Sequence, residues 1–203
     1  DFCLSRGLGD VYKRQLLREM QTQWRKQYEE DFERPPDDPA LGQLPAEEMS
    51  WRFVKTLVQA TSAKSGLPIR LPREAEWEWA CRAGSIYPDP LAPGAGPPAR
   101  GPTRVSCGPV SGFGVRNMPG NVMEWCEDMY VASDSGRARI EDIEAFERET
   151  RQHFPDERLT RVARGTSYLG LVRPVFACTC RHEFLEDDPD ILGMGCRLVL
   201  DLP

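Results

Sequence analysis

Histidine is nearly absent: His153 and His182 are the only two in 203 residues. A metal centre built on several imidazoles therefore cannot come from this chain alone. Positive charge is also short. Lys and Arg number 26 against 32 Asp and Glu, for a net charge of −6, which argues against a nucleic-acid surface, where phosphates demand a basic face. No apolar run approaches the roughly 20 residues that a membrane-spanning helix needs. What the chain has in quantity is turn chemistry, with 17 Gly and 18 Pro, a composition of loops rather than of a helical bundle. Seven Cys is an odd number, so at least one is unpaired within a monomer. Their scatter (Cys3, Cys81, Cys107, Cys126, Cys178, Cys180, Cys196) does not read as a small secreted disulfide framework. It fits a reducing compartment, which favours the cytoplasm slightly without fixing the localisation.

Asp1 to Gln15 (DFCLSRGLGDVYKRQ) shows no amphipathic period. It resembles translated adapter sequence at the end of an assembled metagenomic fragment and is set aside as a non-native scar. Residues 16–203 are then expected to be a single domain that lacks its N-terminal part. Leu16 to Phe32 places Leu16, Leu17, Met20, Trp24 and Tyr28 on one stripe of a predicted helix. Glu33 to Pro45 reads as a loop. Ser50 is a predicted N-cap, with Trp51, Val54, Leu57 and Val58 on a buried helix face and Gly66 as the stop. A second helix follows Pro72, with Trp77 and Ala80 in the core and Glu74, Glu76 and Glu78 solvated. Ser85 to Gly112 is a Pro/Gly-rich loop. An external helical insertion is expected at about residues 136–155, where Ile140, Ile143, Phe146 and Phe154 form an apolar stripe.

The densest signal is FGVRNMPGNVMEWCEDMY, Phe113 to Tyr130. Pro119, Gly120 and Asn121 make a turn. The alternation that follows sends Val122 and Glu124 one way and Met123 and Trp125 the other, as in a strand. A carboxylate set among bulky apolar neighbours is at least partly buried and needs a partner. The side chain of Asn117, the carbonyls of Gly120 and Val122, and the carboxylate of Glu124 supply oxygens in the manner of a calcium cage. The plainer alternative is that Glu124 accepts hydrogen bonds from backbone or from an arginine.

This stretch resembles the signature of the formylglycine-generating enzyme family, also called the sulfatase-modifying factor family. Two further blocks agree in order. MSW, RLP, EAEWEWA and CRAG match between Met49 and Gly84, and Arg161, Val162, Arg164, Gly165, Ser167, Tyr168, Arg181, Pro189, Gly195, Arg197 and Leu198 match near the C-terminus. The resemblance implies an α+β, C-type-lectin-like fold, loop-rich, with short twisted antiparallel strands and two or three helices. It also implies a copper ion held by two Cys thiolates, because soft thiolates suit Cu(I). The positions that match those cysteines are Gly170 and Val175. Thr166, Cys196, Met123 and the YPDP element (Tyr87 to Pro90) are further departures from the family pattern. The sulfoxide synthases that also carry this domain hold iron through histidines, which this chain lacks in number.

Three functional readings follow. The first is a non-catalytic module for a protein, peptide or small-molecule ligand, with one structural calcium at Asn117, Gly120, Val122 and Glu124 and no copper. The second is an O2-dependent copper oxidoreductase acting on a thiol, with Cys178 and Cys180 side by side on one face of a strand; the plainer view of both is as buried fillers. The third is a retroelement-diversified binding protein whose variable surface is Tyr168 to Asp190. Tyr168, Leu169, Leu171, Arg173, Arg181 and Glu183 are the residues expected to face a ligand. The acidic run Glu183 to Asp190 reads as a solvated loop.

Overall fold

The computed structural model describes residues 43–85, 101–130, 140–154, 158–169, 178–188 and 191–202. The predicted helix at Leu16 to Phe32, the segment Asp1 to Gln15, most of the Pro/Gly-rich loop, Leu171 and Arg173 lie outside the described residues.

Ser50 sits in extended backbone, and its hydroxyl accepts from the Phe53 amide at 3.2 Å. That satisfies one of the orphan donors of a first turn and starts α1, Trp51–Ser65. The buried side is Trp51, Val54, Leu57, Val58 and Thr61, the helical spacing read from the sequence. Gly66 ends the helix at φ 69, a conformation that costs glycine nothing. Ser50→Ala is expected to remove about 1 kcal/mol of stability, read as a lower urea midpoint with an unchanged denaturant slope.

β1 (Ile69–Arg70) leads through Pro72 into α2 (Glu74–Arg82). β2 (Met123–Met129) is the central strand, α3 (Ile140–His153) follows, and then come β3 (Thr160–Arg164), β4 (Arg181–Leu185), β5 (Met194–Cys196) and β6 (Val199–Leu200). The main sheet has the order β4-β3-β2-β5, and β1 pairs with β6 in a separate two-stranded sheet. β2–β3 and β3–β4 are antiparallel, but β2–β5 is parallel. The other ladders, β1–β6 included, are the short antiparallel pairings expected. Arg197 lies between β5 and β6, outside the ladder, and turns its guanidinium back onto Glu124.

The pleat of β2 sorts the core into two clusters. Met123 and Trp125 join Met49, Trp51, Val54, Leu71 and Met194 on the α1 side. Cys126 joins Trp77, Ala80, Met118 and Val162 under α2. The polar edges of both α1-side tryptophans are satisfied, Trp51 Nε1 by the Cys126 carbonyl and Trp125 Nε1 by the Met49 carbonyl, each at 2.8 Å.

α3 meets the domain differently from the predicted apolar stripe. Phe146 and Phe154 are 58% and 64% exposed. The side chains that reach inward are Glu147, which pairs with Arg161, and Arg151, which pairs with Glu186. Arg161 and Glu186 are almost fully buried, with side chains 2% and 0% exposed, so α3 brings complementary charge to them; the side chains of Ile140 and Ile143 lie outside the described residues.

Candidate binding surface and the ion pairs beneath it

One row of the main sheet reads Arg181, Arg164, Glu124, Gly195 across β4, β3, β2 and β5. α2 lies over this row. Its residues Glu74, Trp77, Glu78 and Cys81 are spaced three and four apart, so they share one helix face. Trp77 Nε1 donates to Glu124 Oε2 at 2.7 Å. Arg181 Nε donates to Glu74 at 2.7 Å. Arg164 donates to Glu74 and Glu78 and stacks near the Trp77 ring. Glu76 points elsewhere and holds Arg70 through two hydrogen bonds of 2.6 and 2.8 Å. The expectation that these glutamates are solvated is therefore wrong: arginines on the sheet make the inward face of α2 ionic. The available sequence signal was the alignment of Glu74 and Glu78 with Trp77 and Cys81 on a single stripe.

Glu124 is buried, and three donors fill its carboxylate. They are Trp77 Nε1, Arg197 Nε at 2.9 Å and Arg197 Nη2 at 2.8 Å. Asn117 has left-handed backbone at φ 59, and its side-chain amide donates to the Val105 carbonyl at 3.3 Å. The Gly120 carbonyl accepts from the Val122 amide at 3.1 Å. Asn121 clasps Thr103 with both side-chain atoms, at 2.7 and 3.0 Å. The two asparagines thus tie down the loop at 103–108, and Glu124 faces a guanidinium and an indole. As arranged, Asn117, Gly120, Val122 and Glu124 do not fit a calcium cage, because the only anionic oxygens among them are already taken by cationic and N–H donors.

The cysteines are also arranged differently from expectation. Cys178 is bonded to Cys81, with the Cα atoms 5.6 Å apart across a sequence separation of 97. β4 begins only at Arg181, so Cys178 and Cys180 lie in the preceding turn and not on one strand face. With Cys178 in a disulfide, the pair does not fit a two-thiolate copper site. Gly170 and Val175 lie outside the described residues. Two other thiols are poor nucleophiles. Burial pushes Cys126 well above the ordinary thiol range, and burial with the nearby Glu124 charge pushes Cys196 up to about 12. Among the described residues, no group of three or more His, Cys, Asp or Glu is placed to hold a metal ion. Among them, too, no helix is long and apolar enough to cross a membrane.

The residues expected to face a ligand divide. Leu169 is 40% exposed, and Glu183 is exposed on β4. Arg181 is instead a structural residue, held by Glu74 and lying 4.2 Å over the Tyr130 ring. Tyr168 is partly buried. Its hydroxyl is raised to about 12, first by burial and then by the Glu47 charge. Glu47 is raised by burial in turn, against hydrogen bonds from Tyr168 and the Gly193 amide; the latter spans 3.1 Å. Gly193 has φ +76, and a Cβ there would lie 2.8 Å from Ser167 Cβ and 3.5 Å from Leu169 Cδ1. The turn at 191–193 is thereby pressed against the 167–169 segment, and its Leu192 is 45% exposed. Glu47, Leu192 and Cys81 are the residues that sequence reasoning missed. His182 Nε2 lies 3.1 Å from the Gly165 carbonyl, and burial lowers its pKa.

No curated protein matches the chain in sequence. Among solved structures, PvdO from Pseudomonas aeruginosa is similar with a TM-score of 0.61 and 24% identity, covering 84% of this chain and 65% of PvdO. The chain thus spans about two thirds of that protein's length. Treponema denticola variable protein 1 is similar at TM-score 0.58 and 18% identity, over 83% of this chain and 75% of that one. CarF is similar at TM-score 0.60 and 17% identity, over 92% and 82%. These likenesses are of fold, and they agree with the α+β, C-type-lectin-like architecture expected from the sequence. A family model for the sulfatase-modifying factor enzyme 1-like domain matches residues 10–202, so the chain belongs to the sulfatase-modifying factor enzyme 1-like domain family.

Proposed function

We propose that this domain is a non-catalytic module that binds a protein, peptide or small-molecule ligand through the surface that begins at Tyr168 and Leu169. One observation carries the reading: Cys178, the thiol on which an alternative copper site depends, is consumed in the bond to Cys81. A thiolate in a disulfide can neither ligate copper nor deliver an electron pair to a substrate. Leu169 and Leu192, by contrast, are exposed where two turns are packed together, and apolar side chains on a braced loop pair suit contact with a partner. The likeness in fold to a variable protein of Treponema denticola favours the diversified-surface version of this reading.

The competing reading is an oxidoreductase that uses Cys178 and Cys180, and it requires the disulfide to open first. Anaerobic titration with Cu(I), on the oxidised and the reduced chain and on Cys180→Ser, separates the two. The binding reading expects no stoichiometric copper in either redox state. One tightly held copper in the reduced chain, lost in Cys180→Ser, would overturn it and justify assaying O2-dependent oxidation of a cysteine-containing peptide.

A further inference from the structure

Gly193 is a meeting point on the surface. Its amide donates to Glu47 Oε2 at 3.1 Å, and the Tyr168 hydroxyl donates to the same carboxylate. A Cβ on Gly193 would lie 3.5 Å from Leu169 Cδ1. Leu169 and Leu192 are both exposed, so a half-buried carboxylate and two exposed leucines converge on one turn. Glu47 differs from the other glutamates in its company. Among the described residues, Glu74, Glu76, Glu78, Glu124, Glu127, Glu147 and Glu186 are buried or half-buried, and each is paired with an arginine or a lysine. Glu47 and the adjacent half-buried Glu48 have no such partner among them, and the charge that acts on Glu47 is that of Glu48, of the same sign. A carboxylate offers roughly four lone-pair sites, and the Gly193 amide and the Tyr168 hydroxyl leave part of them open. The fold has already taken much of the water from this anion without supplying a cation.

We propose that this turn docks a basic–apolar peptide segment of a partner protein: an arginine or lysine of the partner pairs with Glu47, and an adjoining apolar side chain lies on Leu169 and Leu192. The inference names the partner chemistry of the surface already proposed for binding, and it rests on that reading. Exposed leucines alone would suit any apolar partner. The uncompensated carboxylate beside them selects a cation. Hydrogen bonds from Tyr168 and Gly193 hold the carboxylate in place before the partner arrives, so less ordering remains to be done on binding. Apolar contacts around the pair exclude water and strengthen it. The net charge of −6 draws a basic segment towards the domain from a distance. The pairing also has a sign in pH. Burial and the Glu48 charge raise Glu47, while the Tyr168 hydroxyl, pushed up to about 12, keeps its proton. A basic segment requires the ionised carboxylate, so affinity falls as pH drops through the raised value of Glu47.

The test selects random displayed peptides against the full chain. The most enriched peptide is then synthesised as found and with its basic residue replaced by glutamine. Enriched sequences are expected to carry Arg or Lys beside an apolar residue. In calorimetric titrations the neutral peptide should bind at least about tenfold more weakly. Glu47→Gln should lower affinity for the basic peptide by a similar factor and abolish the difference between the two peptides. Leu192→Ser, at an exposed position, should weaken both peptides alike. Enriched peptides that lack a basic residue, or a difference that persists in Glu47→Gln, would overturn the inference and leave a binding module standing. No enrichment on the wild-type chain would also overturn it, and the copper titration then judges the binding reading separately. If Glu47→Gln does not fold, the glutamine-substituted peptide, Leu192→Ser and the loss of affinity in acid decide.

Discussion

Arg161→Met is expected to destabilise the domain by about 3–5 kcal/mol, the usual loss when one partner of a buried ion network is removed. The guanidinium of Arg161 lies 3.8 Å over the Trp51 ring and donates to Glu147, Glu186 and the Glu127 carbonyl. Methionine fills part of the volume but leaves Glu147 short of its main donor and Glu186 with Arg52 and Arg151 alone. Arg161→Lys should recover only part of the loss, since an ammonium cannot reproduce the planar fork or the stacking. Urea midpoints for the three proteins measure this, and a Met variant within about 0.5 kcal/mol of wild type would show that the network contributes little. The same residues set an acid limit. Burial alone would raise Glu147 and Glu186, but hydrogen bonds from Arg161 and Arg151, respectively, outweigh it and hold both below their ordinary value of 4.5. A carboxyl whose folded pKa is depressed adds stability above its unfolded pKa and loses it as pH falls through the folded one. Wild type should therefore lose stability steadily below about pH 4.5, and Arg161→Met should lose less over the same interval.

Glu124→Ala is expected to cost about 3 kcal/mol, because it takes the carboxylate from Arg197, which keeps the Arg116 carbonyl, and leaves the Trp77 indole N–H, deep in the cluster under α2, without its acceptor. Glu124→Gln keeps an acceptor for Trp77 and should lose less. The same proteins test calcium. With Glu124 filled by Arg197 and Trp77, neither calcium nor a chelator should move the wild-type melting temperature. A calcium-dependent rise that disappears in Glu124→Gln would restore a cage at Asn117, Gly120, Val122 and Glu124, with Arg197 displaced by the ion.

Much of the scaffold could be read in advance. α1 was legible from its cap, its stripe and its stop, because all three signals lie within a few residues of each other. β2 was legible from alternation, and Glu124 was correctly expected to be buried. The partners of that glutamate were not legible. Arg197 is 73 residues away and Trp77 is 47 away, and a carboxylate carries no local mark that separates a cation cage from a guanidinium. α3 was legible as a helix, but the contacts of its described side chains were not. Its apolar positions suggested an inward stripe, yet Phe146 and Phe154 face solvent, while Glu147 and Arg151 meet buried opposite charges supplied by β3 and the turn after β4.

By itself the sequence determined the family, the order of its three blocks, the α+β class and the identity of the central strand, because periodicity, turn chemistry and ordered motifs are local properties of a chain. Only the tertiary structure decided how the chemistry-bearing groups are used. It bonded Cys178 to Cys81, gave Glu124 to Arg197 and Trp77, turned Glu74 and Glu78 onto sheet arginines, and braced Leu169 against the turn at 191–193. The physical reason is common to all four. A thiol, a carboxylate or an exposed leucine takes its role from whatever the fold places within a few ångströms, and those neighbours come from distant parts of the chain.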